Sequence, residues 1–171
     1  MDPLKICIVS SEVAPFAKTG GLADVAGALA RFLGRAGHDV RVVMPLYRRI
    51  RAGDWTIEPE EAMRGIEIEF GEQELTFSVL STTLPNSEVS VYLVDCPELY
   101  DREEIYTAGD EDAVRFALLS RASLEACQRM QWAADVFHVN DWHAALLPLY
   151  LKTTYAWDRL FLASKTLLTI H

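Results

Sequence analysis

Lys18-Thr19-Gly20-Gly21-Leu22-Ala23-Asp24-Val25 decides how the rest of the chain is read. It follows a short apolar run, Ile6 to Val9 with Leu4 and Cys7, that reads as a buried strand, and it leads straight into a helical pattern. Strand, glycine turn and helix form a phosphate-binding layout. Gly20 and Gly21 let the backbone turn tightly and approach a ligand, and the following helix turns its unsatisfied N–H groups and positive dipole end toward an anion. Lys18 adds a point charge beside that anion. An ordinary strand–helix connection needs a double glycine equally well. The order Lys-Thr-Gly-Gly is not the phosphate loop with Lys after the glycines, and there is no G-x-G-x-x-G.

Working outward, Leu22, Val25, Ala26, Leu29, Phe32 and Leu33 recur at helical spacing until Gly37. Val40, Val42, Val43 and Met44 make a second β-branched run closed by Pro45, so the first 45 residues read as strand–helix–strand. Such a unit crosses over right-handedly and places both strands in one parallel sheet, whose ligands bind beyond the carboxyl ends of its strands. Arg48 to Arg64 is polar, with Glu58, Glu60 and Glu61, and reads as a solvated connection. Ile66, Ile68 and Phe70, then Leu75, Phe77 and Val79, alternate with polar residues around Gly71-Glu72, which predicts a hairpin. Val89 to Val94 is a third run.

Asp110, Glu111 and Asp112 mark a helix start, and the spacing from Ala113 to Cys127 extends that helix to about Gln131. Val136 to Val139 reads as a strand and Asn140-Asp141-Trp142-His143 as the loop at its end. Ala144 to Leu151 is helical in composition, with Pro148 in a first turn or at a kink. Thr166 to Ile170 is a last strand, and stopping one residue later at His171 is read as truncation within a larger protein. Strand and helix alternating at both ends, with a small antiparallel insertion, predict an α/β fold on a mainly parallel sheet.

With 171 residues, half of them apolar, the chain suits one globular domain. A net charge of −9 argues against a nonspecific nucleic-acid binder and against an anionic membrane surface, so any phosphate must meet a local positive spot. Cys7, Cys96 and Cys127 are odd in number and set among apolar residues, which suits reduced thiols in the cytoplasm. No apolar run approaches the roughly 18 residues of a membrane span, and the N-terminus lacks the pattern of an export signal.

Lys18 with the glycines, the Asp141/His143 pair and His171 all fall at expected strand ends, where a doubly wound sheet converges on one cleft. The His138–His143 spacing is not HExxH and no cysteine lies near, so a hydrogen-bonded core histidine is the better reading of His138 than a metal ligand. Asp24 sits where a helix dipole stabilises any carboxylate, and Asp141 or His143 suits a helix cap. Trp142 suits either the core or a platform for a sugar ring.

In this order and spacing, KTGGLADV, YLVDCPELYDR, DAVRFALLSRASLE, HVNDWHAALLPLYLK and TLLTIH resemble the bacterial glycogen synthase and plant starch synthase family. The resemblance spans nearly the whole chain and is weakest from Tyr47 to Ser90. It implies the N-terminal, acceptor-side half of a glycosyltransferase B architecture, Rossmann-like and doubly wound. It also implies transfer of glucose from ADP-glucose to the non-reducing end of an α-1,4-glucan with retention, without metal or other cofactor. A C-terminal domain supplying most nucleotide contacts is the implied partner, and without it the chain is expected to be inactive or nearly so.

Matched motif by motif, Lys18 is similar to the lysine that approaches the donor phosphates, with Gly20 and Gly21 as the backbone cradle. Asp24 matches an aspartate implicated in donor binding or loop order, Asp141 one beside the glucosyl site, and His171 a histidine approaching the transferred sugar. Tyr106 falls where the family has an acceptor-side aromatic, within a loop, EEIYTAG, that departs from the pattern. Asn140 replaces the usual histidine before Asp141. A noncatalytic glucan-binding or regulatory module of the same fold is the alternative, which Lys18, Asp24, Asp141 and His171 standing together argue against. A phosphorylase or sucrose synthase relative is a third reading, and a phosphorylase would need a pyridoxal-phosphate lysine elsewhere. An open cleft face further predicts self-association, which sedimentation as a clean monomer would count against.

Overall fold

The computed structural model describes residues 2–71, 73–107 and 109–171. Its opening unit is β1 (Lys5–Val9), α1 (Gly21–Arg35) and β2 (Asp39–Pro45). β1 and β2 pair in parallel with Ile8 opposite Val42. Helix α1 ends where Gly37 takes φ 92°. There the N–H groups of Gly37 and His38 return to the carbonyls of Gly34 and Leu33, a Schellman closure that depends on a left-handed residue.

The middle of the chain differs from the solvated connection expected of it. It forms α2 (Arg48–Arg51), the two-residue strand β3 (Glu58–Pro59) and a 3₁₀ turn, Glu61–Met63. Ile50 and Met63 are buried, and Trp55 packs edge-on against Phe16 with ring centroids 4.7 Å apart. Widely spaced apolar residues close over the core here while their charged neighbours stay in water.

The expected hairpin is present as β4 (Ile66–Phe70) and β5 (Gln73–Thr83), antiparallel with Ile68 opposite Leu75. Gly71 turns it at φ 64°, and Glu72 lies outside the described residues. The third run, β6 (Ser90–Asp95), is the seam of the sheet, antiparallel to β5 and parallel to β2.

The remainder comprises α3 (Pro97–Tyr100), α4 (Glu111–Arg129), β7 (Val136–Asn140), α5 (Asp141–Ala144), α6 (Leu147–Lys152) and β8 (Lys165–Thr169). Pro148 sits in the first turn of α6, where its missing N–H costs nothing. Of Asn140 to His143, expected as a loop, Asn140 ends β7 and Asp141 to His143 form a single helical turn with Ala144.

Strand order is β3-β5-β6-β2-β1-β7-β8, with β4 beside β5, and β6, β2, β1, β7 and β8 are mutually parallel. From β1 the chain moves to β2 in one direction along the sheet, and from β7 to β8 in the other. Right-handed crossovers put such connections on opposite faces, and α4 accordingly packs against α5 and α6. The order therefore reverses between β1 and β7, and that is where a doubly wound sheet opens its ligand crevice. Among the described residues no helix is long and apolar enough to cross a membrane.

Candidate active site at the reversal of strand order

The segment leaving β1 is held down on α1. The Ala14 N–H donates to the Ala23 carbonyl at 2.9 Å, and Gly27 lies so close that a Cβ there would stand 2.5 Å from the Ala14 oxygen. Gly20 and Gly21 differ from expectation. Gly20 is extended, at φ −142° and ψ −161°, and a Cβ on either glycine would meet no protein atom within 4 Å. Neither the turn nor the packing of the protein requires them, and the space before α1 is open. Among the described residues no side chain caps α1, so its first N–H groups are free for an anion.

Lys18 pairs with Asp24 at 2.7 Å, with side-chain exposures of 52% and 57%. Such an exposed pair is worth about 0–1 kcal/mol, so the ammonium can leave it at little cost. The Lys18 carbonyl accepts from Arg49 Nη1 at 3.4 Å.

At the end of β7, Asp141 adopts φ 56°, a left-handed conformation that short polar residues tolerate best. Its carboxylate does not cap the following turn. Oδ1 accepts from the backbone N–H of His171 at 2.8 Å, tying the ends of β7 and β8 together. Asn140 is buried, and its Nδ2 donates to the Val9 carbonyl at 3.2 Å while its Oδ1 lies 3.3 Å from His171 Nε2. Since an amide oxygen only accepts, that contact places a proton on Nε2 of His171. Asn140 thus ties β1, β7 and His171 together.

His143 caps nothing either. It is buried beside Tyr106, Phe116 and Trp142, with ring centroids 4.7, 4.7 and 4.1 Å away, and its Nδ1 has no partner among the described residues. Burial pushes its pKa down to about 4 despite the nearby carboxylates of Asp141, Glu12 and Asp112, so the ring is neutral. His138 is the core histidine anticipated, with Nε2 2.7 Å from Thr169 Oγ1. Trp142 is 57% exposed, which removes the core reading and leaves its indole facing solvent beside Asp141. Among the described residues no group of three or more His, Cys, Asp or Glu could hold a metal ion.

Sequence reasoning passed over Glu12. It is 2% exposed, and its carboxylate accepts from Thr19 Oγ1 at 2.7 Å, Tyr106 Oη at 2.5 Å, Gly20 N at 3.4 Å and the Thr19 N–H. A lone carboxylate between the apolar runs Ile6–Val9 and Val13–Ala17 was the available signal. Tyr106 is joined through Glu12 to the glycine loop and through His143 to the Asp141 turn. Its own loop is pinned by Asp112, which accepts from Thr107 N at 3.0 Å and Thr107 Oγ1 at 2.9 Å. Asp112 in turn pairs with the buried Arg115 at 2.5 Å.

The model of the starch synthase catalytic domain matches residues 5–171. The chain belongs to that family. It is 44% identical to a glycogen synthase of Photobacterium profundum, covering 99% of this chain and 33% of that protein. It is 38% identical to one of Thermotoga petrophila, covering 98% of this chain and 35% of that protein. The catalytic domain of starch synthase IV from Arabidopsis thaliana, solved bound to ADP and acarbose, superposes with a TM-score of 0.87 at 27% identity, over 99% of this chain and 34% of that one. The fold is thus the one expected, an N-terminal half of the glycosyltransferase B architecture, and the chain spans about a third of the length of its curated relatives.

Proposed function

We propose that this chain is the acceptor-side half of a glucan synthase that moves glucose from ADP-glucose to the non-reducing end of an α-1,4-glucan with retention. The likeness of the whole chain to a starch synthase domain bound to ADP and acarbose carries the reading. Transfer requires that the leaving diphosphate be stabilised and that the oxocarbenium-like sugar be kept from water. The uncapped start of α1 and Lys18, released from Asp24, supply positive charge for the phosphates, and open space at Gly20 and Gly21 admits them. Asp24 stores the lysine at the mouth of the site between turnovers.

Asp141 places a carboxylate at the crevice, fixed by the His171 N–H, and His171 with its proton on Nε2 lines the sugar side. Tyr106 and the exposed face of Trp142 border the acceptor side. A C-terminal domain of the same protein is the proposed source of the remaining nucleotide contacts, in a cytoplasmic enzyme. Removing one preorganised charge-stabilising group costs about 10²–10³ in rate. In a protein extended through the downstream residues, Lys18→Ala and Asp141→Asn should therefore each lose about 10² or more in kcat with the fold intact. Ordinary transfer by both variants would overturn the assignment.

A further inference from the structure

We propose that Glu12 is a positioning residue that couples the donor and acceptor sides of the cleft, holding the Thr19–Gly20 backbone in register with the Tyr106 hydroxyl. The inference rests on the glucosyl-transfer reading for its meaning and on the hydrogen bonds of Glu12 for its geometry.

A carboxylate has about four lone-pair positions, and all four are taken here. Two backbone N–H groups and one hydroxyl come from the loop that carries Lys18, and the fourth donor is Tyr106. Ser11 Oγ lies 2.9 Å from the same phenol oxygen, and since Tyr106 gives its proton to Glu12, Ser11 donates in turn. Burial pushes the Glu12 carboxyl up, and the hydrogen bonds from Tyr106, Thr19 and Gly20 outweigh it and hold it below the usual range. No Lys or Arg among the described residues pairs with it, so donors alone balance its charge.

Two consequences follow for the site. With the Thr19 and Gly20 N–H groups turned inward to Glu12, the N–H groups left for phosphate begin at Gly21, the first residue of α1. A shift of Tyr106 by an incoming glucan is also transmitted through one carboxylate to the backbone beside Lys18. An amide in place of the carboxylate would present an NH₂ group to donors, so Glu12→Gln breaks the coupling at nearly constant volume.

The test has two arms. In the 171-residue chain, amide resonances of Thr19 and Gly20 are compared in wild type, Tyr106→Phe, Glu12→Gln and the double variant. Tyr106→Phe should move both amides in wild type and should move neither further in the Glu12→Gln background. Unmoved amides in Tyr106→Phe, the milder change, would overturn the proposal. In an extended, transferring protein, Glu12→Gln should lower kcat/KM by about 10- to 100-fold for ADP-glucose and for glucan alike, through loop misplacement. Adding Tyr106→Phe should then cost nothing more, and losses that multiply would overturn the proposal. The resonance arm needs no turnover, so a failure of transfer altogether would sink the proposed function and leave the coupling to be judged on the amides.

Discussion

Acid should destabilise the fold through His143. Its pKa lies near 4 in the folded chain against 6.5 for an ordinary histidine. Below pH 6.5 the unfolded chain takes up a proton that the folded chain refuses, so stability falls with falling pH until the folded value is reached. At 1.36 kcal/mol per unit, the gap amounts to about 3 kcal/mol by pH 4, and about 1.2 kcal/mol is lost between pH 7 and 5.5. The upper part of that window is clear of the isoelectric point near 4.9, where solubility is poorest. It also lies above the range in which Glu12 and Asp112 titrate, because their lowered pKa values place their losses at more acid pH. His138, lowered by burial and by His171, contributes in the same direction, so wild type must be compared with a variant that keeps it. His143→Phe is suitable, because Nδ1 has no partner to lose and the ring sits among aromatic neighbours. Urea unfolding at pH 7, 6 and 5.5 should show wild type losing about 1.2 kcal/mol more than the variant. Parallel curves would refute the claim that this ring is held neutral.

Other expectations follow from single contacts. Asp112→Ala leaves the fully buried Arg115 charge without its carboxylate and should cost about 3–5 kcal/mol in chemical denaturation. Gly27→Ala drives a methyl against the Ala14 oxygen and should cost about 1–3 kcal/mol, with the Ala14 and Ala23 amides shifting in the spectrum. Asp24→Asn should leave stability within about 1 kcal/mol in urea unfolding, because both partners of its ion pair are more than half exposed. Exposed Leu167 and Leu168 on the edge strand β8 should promote self-association, and a clean monomer in sedimentation would count against it.

The elements of the first 45 residues were legible because the local signals agreed: two β-branched runs, a helical period and Gly37 where the helix had to stop. The face read from that period was only partly the buried one, since Val25 and Phe32 are exposed and the small residues Ala23, Gly27 and Ala30 let the helix lie close to its neighbours instead. The long helix α4 was legible for the same reason, through a sustained period and acidic residues at its start. Legibility failed where structure depends on partners far away in sequence. Ile50 and Met63 sit among charges with no period to mark them, yet both are buried. Glu12 acquires its meaning from Thr19 and from Tyr106, 94 residues distant, and no spacing rule connects them. Asp141 and His143 look like helix caps in one dimension, but the neighbouring strand end and the aromatic cluster claim them instead. Of the two uses expected of Gly20 and Gly21, the tight turn is absent, since Gly20 is extended and Gly21 begins α1, whereas the space a close-lying ligand needs is there.

The most direct measurement of the central claim is transfer of labelled glucose from ADP-glucose to glycogen by the 171-residue chain and by a version extended through the residues downstream of it. The extended protein should transfer and the chain alone should transfer little or nothing, if the chain is the acceptor-side half of the cleft as proposed. If neither transfers and the short chain still retains glycogen on a column, the synthase reading is contradicted, and Lys18 and Asp141 become parts of a glucan-binding surface.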